Sequence, residues 1–529
     1  MKKGVSTAIV IILVLLIFVS LILISFQWLL TYSPQTQWEL EKSLAKKEGC
    51  LKIENIDTNN KRITVRNCGS IQLSNFIVYI DSEPFLYYSE KLGSGEIIQI
   101  SYTEDIASGD HDIQVFSDYA ESPKIIFNKK CIFPAFGDWD IYDILICYNQ
   151  LIIINGNIRI YNGGSLTFYN VTLKMNTTSD LEYGIQVQNG GKMFIYDNDN
   201  KIDTINDASN ITTGPYDATT HFFFQVRDGS QFEMKNSYIR KCGYSGAGVD
   251  FAGLAIYADN SVVVNNIFDN SYRAIQLRNT KNCLVSKNTV RNSAEYGILI
   301  VNYDDENQNN IVSDNILINN FHNIHTCNGA KNNTITRNNI TGGTCGIYLH
   351  ADAGGPASYN KYTYNNIRSV QYGIHISQGS HNNLFANSSV ANSGIYDYNL
   401  TDATSTNNFM NMNFTDLRTI HFWDSTSWFN YNNRTDIELW LKTNVSAQTK
   451  INRELISWTQ DLMQWNDSAS SAITARYNIT GLIPNTQYAV YNNTNPISGS
   501  PFNSGSAGEI SFTINLPASE DHEIKVESV

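Results

Sequence analysis

Charge is scarce along this chain. Only 16% of its 529 residues are Asp, Glu, Lys or Arg, and the acids outnumber the bases, 50 to 37, for a formal net charge of -13. No run of basic residues occurs anywhere. Nucleic-acid phosphates are held by clustered Lys and Arg, so a nucleic-acid partner is excluded. A Walker-type loop, paired CxxC motifs and a Ser-His-Asp pattern are also missing, which removes the usual motif-borne nucleotide, redox and acyl-transfer chemistries. What remains is weakly charged, polar and 12% aromatic, with conspicuous Asn. That is the profile of a folded β-protein facing water and not of a disordered chain. Its length exceeds one ordinary core, so several domains or a repeat array are expected.

One stretch has no charge at all: VSTAIVIILVLLIFVSLILISFQWLL, from Val5 to Leu30. About 20 apolar residues cross a bilayer, whereas a secretory h-region spans roughly 7–15. Trp28 and Tyr32 sit where interfacial aromatics belong. Lys2 and Lys3 favour an inside N-terminus, although Lys42, Lys46 and Lys47 weigh the other way. The expectation is one transmembrane signal anchor over residues 1–40, with everything after residue 40 outside the cell membrane. The segment KKGVSTAIVIILV resembles the class III, prepilin-like signal peptides of archaeal surface proteins. That resemblance implies a cut after Gly4. Ile9 stands where a polymerising pilin carries Glu, which implies an anchor and not a filament subunit.

Export agrees with N-x-S/T sequons at Asn170, Asn176, Asn210, Asn332, Asn339, Asn387, Asn399, Asn413, Asn433, Asn444, Asn466, Asn478 and Asn492. Cys50 and Cys68 flank one hairpin-like segment, and Cys131 and Cys147 flank another. Close pairs in an exported chain predict disulfides Cys50–Cys68 and Cys131–Cys147. Cys242, Cys283, Cys327 and Cys345 have no obvious partners.

Between these ends the sequence repeats. Gly253-Leu254-Ala255-Ile256 returns as Ala274-Ile275-Gln276-Leu277, Gly297-Ile298-Leu299-Ile300, Asn323-Ile324-His325-Thr326, Gly346-Ile347-Tyr348-Leu349 and Gly373-Ile374-His375-Ile376, at spacings of 21, 23, 26, 23 and 27. A second marker keeps step: Asn265, Asn288, Asn315, Asn338, Asn365, Asn387 and Asn411. A period of 20–30 residues with short strands and no helical pattern predicts a parallel β-solenoid, climbing roughly 4.8 Å per coil. Asn tolerates the left-handed backbone of a tight turn, and stacked amides can bond to one another. Fainter copies at Gly163, Gly190 and Asp228 place the start near Leu151, with an insertion around 200–220 and the 131–147 segment as a cap.

These coils resemble the right-handed parallel β-helix of NosD-type proteins and the wider set of carbohydrate-binding and sugar-hydrolase β-helices. The resemblance spans about residues 130–415 and specifies fold far better than activity. Residues 50–122 alternate apolar and polar positions between turns and read as a small β-sandwich. RYNITGLIPNTQYAVYNN resembles a fibronectin type III motif, with Tyr488 as its corner tyrosine. The expected architecture is therefore all-β: a right-handed parallel β-helix of about 10 coils between two β-sandwiches, behind one transmembrane helix. The expected boundaries are 1–40, 41–124, 125–416 and 417–529.

If the Ile and Leu of each phrase point inward, the alternate residues form outward columns. One contains Gln225, Gln276, His325, Tyr348 and His375, and its neighbour Arg227, Tyr257, Arg278, Cys327 and His350. Amide, guanidinium and aromatic groups in rows suit sugars, so these residues other than Cys327 are the candidate glycan contacts. Cleavage of a sugar chain needs a carboxylate pair about 5–9 Å apart, or for a lyase Ca²⁺-binding acids with a base. Asp228 and Asp259, on successive coils, and Asp304 with Asp305 in the loop YDDEN are the weak candidates for that work or for Ca²⁺. His325, Cys327, His350 and His375 share one face and are donors of the type that holds Zn²⁺ or Cu⁺. The expected function is glycan or surface-polymer binding by a membrane-anchored, externally displayed protein. The alternatives are a polysaccharide lyase, hydrolase or epimerase using the same groove, or a structural stalk.

Overall fold

The structure is a computed structural model. It describes residues 11–27, 46 and 48–529, apart from 58–60, 105, 107–108, 130, 198–201, 203–204, 206–207, 215–218, 247, 305–307, 352–353, 402–405 and 434–437. The chain divides into two compact units, 1–130 and 131–529.

In the first unit, residues 11–27 are helical, with their apolar side chains exposed. Among the described residues no helix is long and apolar enough to cross a membrane. Residues 1–10 and 28–40, which the expected anchor includes, lie outside the described residues. Beyond them, strands Leu51–Asp57, Arg62–Asn67 and Ile97–Ser101 form one antiparallel sheet. Glu83–Tyr88, Phe76–Ile80, Gly109–Phe116 and Ile125–Lys129 form another. The alternation LKI and ITV sends Leu51, Ile53, Ile63 and Val65 into a core shared with Phe76, Val78, Ile113 and Val115. The last strand carries this unit past the expected boundary at 124. The Cys50–Cys68 disulfide ties the two ends of the first hairpin.

The second unit is a parallel β-helix with three faces. Face one carries the repeated phrases, including Arg273–Arg278, Tyr296–Val301, His322–Cys327, Cys345–His350 and Tyr372–Ile376. Face two follows it with short strands such as Val262–Val264, Leu284–Ser286 and Ile311–Ser313. Face three is a 10-stranded sheet from Leu151–Ile154 to Ser389–Ala391. Ile275, Ile298, Ile324, Ile347 and Ile374 stack in register at the interior of face one, each almost wholly buried. The expected register is therefore the observed one.

Two expectations change at the ends. The helix begins before Leu151: Trp139–Ile141 and Ile144–Tyr148 already pair in parallel with Ile158–Ile160 and Ser165–Tyr169. The loop closed by the Cys131–Cys147 disulfide thus contains the first coil and is not a separate cap. Likewise the expected insertion at 200–220 includes a regular rung, Asn210–Thr213, paired with Thr172–Met175. At the far end the parallel strands Arg418–Phe422 and Phe429–Asn432 lie beyond the expected limit at 416. Each then pairs antiparallel with a strand of the C-terminal sandwich, Thr449–Trp458 and Trp440–Val445. The sandwich continues two faces of the helix and closes its end. Its Tyr488 is fully buried, with the hydroxyl accepting from the Ile483 amide at 3.1 Å.

The Asn marker resolves into two columns. Asn265, Asn387 and Asn411 take the left-handed conformation, φ 57, 51 and 49, at the turn from face two to face three. Their neighbours Asn266, Asn288, Asn315, Asn338 and Asn365 point inward and form a buried ladder. Each Nδ2 from 266 to 338 donates to the next Oδ1 at about 2.9–3.0 Å, and that Oδ1 also accepts the amide N–H of the previous rung. A second ladder, Asn310, Asn333, Asn360, Asn383 and Asn407, runs along the turn from face one to face two. A bend has no strand partner for its backbone, and these amides supply one.

Candidate functional site

Face one brings the expected columns together in the expected order. Gln225, Ala255, Gln276, Leu299, His325, Tyr348 and His375 are direct partners on successive rungs, and Arg278, Val301, Cys327 and His350 stand beside them. They are not a solvated surface. Gln225 and Gln276 are fully buried, and Arg278, His325 and Cys327 nearly so.

Two causes of burial can be separated. Over the earlier coils a strap, residues 243–246 and 248–252, crosses the face. Gln225 donates to the Asp250 carbonyl at 3.1 Å and Gln276 to the Val249 carbonyl at 3.3 Å. Phe251 packs edge-on against Phe223. The Asp250 carboxylate takes an N–H from Arg227 at 3.2 Å and the Tyr257 hydroxyl, which in turn accepts from Arg278 Nε at 2.9 Å. Burial, and then the Asp250 bond, push the Tyr257 phenol up to about 12.

Over the later coils the rings bury one another. Tyr296, His325, Tyr348 and His375 follow at centroid distances of 4.5, 4.7 and 4.6 Å, one β-rung apart. His322 and His350 flank them, each within 6 Å of His325, and Tyr396 stacks on His421 at 4.2 Å further along. His322, Tyr296, His421 and the exposed Trp423 were missed by the sequence reading. Their positions in the strand phrases carried the signal, but only the two most regular columns had been followed.

Burial keeps His322, His325 and His375 neutral. It holds His322 and His375 down at about 4 and His325 well below the usual value. Both ring nitrogens of His325, Nδ1 of His322 and Nε2 of His375 are buried without a hydrogen-bond partner. Neutral imidazole beside a thiol is a donor set that suits a soft metal. Yet the rings lie stacked, and among the described residues no group of three or more His, Cys, Asp or Glu converges on a common point. His325, Cys327, His350 and His375 thus share a face without converging on one point.

The carboxylate candidates lie elsewhere. Asp228 and Asp259 border a cleft of about 510 Å³ with Glu233, Phe194 and Phe232. Asp259 Oδ1 accepts the Lys281 backbone N–H at 2.6 Å, a turn-closing bond, while Glu233 is engaged by Tyr196 and Lys235. Asp304 is exposed, and Asp305 lies outside the described residues. Of the sequons, Asn399 is buried in the face-one column with its Oδ1 2.7 Å from His421 Nδ1, so it is a poor glycan acceptor. The others are half-buried.

Residues 222–420, which include the ring stack, match the family model described as periplasmic copper-binding protein (NosD). The central coils are a NosD-like parallel β-helix. Among solved structures the chain is similar to a variant of the periplasmic alginate epimerase AlgG, with 13% identity and TM-score 0.34 over 51% of this chain and 68% of that one. It is also similar to the Family 28 exopolygalacturonase of Yersinia enterocolitica, with 8% identity and TM-score 0.27 over 68% of this chain and 91% of the enzyme. A third is a tailspike of Acinetobacter baumannii bacteriophage Fri1, a capsular polysaccharide depolymerase, with 10% identity and TM-score 0.19 over 69% and 79%. At these scores the likeness carries no argument about activity. No curated protein matches the chain.

Proposed function

We propose that this protein is displayed outside the cell, held at the membrane by its apolar N-terminal segment, and binds glycans or related polymers along face one without converting them. The observation behind this reading is the run of imidazole and phenol rings at one-rung spacing along the later coils, flanked by the exposed rings of Phe321 and Trp423. Stacking consumes the flat faces of the rings, so the stripe offers edges that hydrogen-bond. Exposed Trp423 and Phe321 offer the flat faces that pyranose C–H groups pack against. Two carboxylates that meet the stripe are occupied, Asp250 by Arg227 and Tyr257 and Glu295 by Arg273, which favours binding over cleavage.

A glycan array probed with the full chain tests the reading. Tyr348→Ala and Trp423→Ala are expected to weaken retention of the bound polymer by about tenfold, as for anchors that concentrate interface energy. Retention of no polymer would reject the proposal. Appearance of new reducing or unsaturated chain ends would instead mark a hydrolase or lyase.

A further inference from the structure

A second cleft, of about 320 Å³, lies at the corner where face three turns into face one. Four successive coils build it. They contribute His221, then Tyr244, then Asn270 with Tyr272, then Asn292. None of these residues belongs to the outward columns of face one.

The cleft is organised before any ligand arrives. Asp180 accepts both the backbone N–H of His221, at 2.9 Å, and a bond from its Nδ1, at 2.8 Å. In the neutral ring the carboxylate holds the proton on Nδ1, which leaves Nε2 as an acceptor. The Tyr244 ring sits 5.4 Å from the His221 ring and is 41% exposed, so much of its surface faces the opening. Asn270 and Asn292 hold left-handed turn positions, φ 51 and 58, which bring two amides to the rim. Asn292 is steadied by its Nδ2 bond to Asp269 at 3.0 Å. An aromatic plate, an oriented acceptor and forked amides are the equipment for one sugar ring. The volume lies at the small end of ligand pockets, about 300–1,000 Å³.

Charge selects among sugars. No Lys or Arg is among the described residues lining the cleft; Asp180 is bonded to His221, and Asp269, bonded to Asn292, is itself paired with Arg291 at 3.2 Å. A uronate would find no Lys or Arg among the described lining residues to meet its charge.

We propose that this cleft is a binding site for a neutral pyranose unit. The inference rests on the glycan-binding reading and adds a second, charge-selective site away from the face-one stripe. Tyr244 also stands at the root of the strap, so an occupied cleft touches the segment that covers Gln225 and Gln276.

Calorimetric titration of the full chain with neutral oligosaccharides and with oligogalacturonate, repeated for Tyr244→Ala, Asn292→Ala and Tyr348→Ala, tests it. The expected result is saturable binding of a neutral oligosaccharide that Tyr244→Ala weakens by about tenfold or more, with a smaller loss for Asn292→Ala. Little or no oligogalacturonate should bind at the cleft. Far-UV circular dichroism and melting checks that the variants fold. Neutral binding that is lost in Tyr348→Ala but intact in Tyr244→Ala overturns the cleft and leaves the face-one reading standing. Oligogalacturonate binding that depends on Tyr244 overturns the charge selection. Absence of binding by any glycan overturns both proposals.

Discussion

Ile374 and His375 are neighbours in one strand, yet their truncations should differ. Ile374 is fully buried between Ile347 and Tyr398, so Ile374→Ala should cost about 2–5 kcal/mol in transfer and cavity terms. His375 stacks on Tyr348 from outside the core, and His375→Ala should cost about 1 kcal/mol. Thermal melts of the two variants check this, and a reversed order would contradict the register. The imidazole stack also predicts acid sensitivity. Unfolded His titrates near 6.5, whereas His322 and His375 are held down at about 4. Between those values the unfolded chain takes up protons that the folded chain refuses. Stability should therefore fall as pH drops from about 6.5 to 4, by a few kcal/mol in all. Denaturant melts at pH 7 and 4.5 measure the fall, which should shrink in His322→Gln. Which side chains share a column was legible because the strand phrases are periodic. Their burial was not, because the strap belongs to no repeat and ring stacking is a contact between distant coils.

Short elements need their turns specified, and the ladders do this. Face three has strands of only three or four residues, too few to hold register by themselves. Asn315 accepts from the Asn288 backbone and amide and donates to Asn338 and to the Val285 carbonyl. Asn315→Ala strands several buried groups at once and should cost about 2–4 kcal/mol. Asn387, at the half-buried left-handed position, gives up only the bond from Asn411 and should accept Gly with a loss of under about 1 kcal/mol. Chemical denaturation of both variants makes the comparison, and equal losses would mean that the two columns had been separated wrongly. The abundance and phase of Asn were plain in the sequence. The split into turn and ladder columns was obscured because adjacent Asn residues, such as 265 and 266, offer either alignment. The ladder at the other corner went unread because its spacing runs parallel to the first.

At the scale of the molecule, the C-terminal sandwich is a closing element. Without it the strands Arg418–Phe422 and Phe429–Asn432 would end the helix with open edges, which template association. Residues 131–529 should elute as a monomer in size-exclusion chromatography, and residues 131–432 should aggregate. A well-behaved shorter fragment would show that the sandwich is a spacer. The sequence announced a sandwich there but not its attachment, since antiparallel pairing across the junction leaves no periodic mark. The ladder has one more consequence, for descent. From Asn266 to Asn365 each coil presents the same amide socket to the next, at separations of 22, 27, 23 and 27 residues. Duplicating or deleting a whole coil rejoins matching sockets, whereas losing a few residues inside a coil leaves amides facing nothing. Within that stretch, length should change only in steps of one turn. A longer or shorter relative should differ from this chain by multiples of a coil, with its two ends intact.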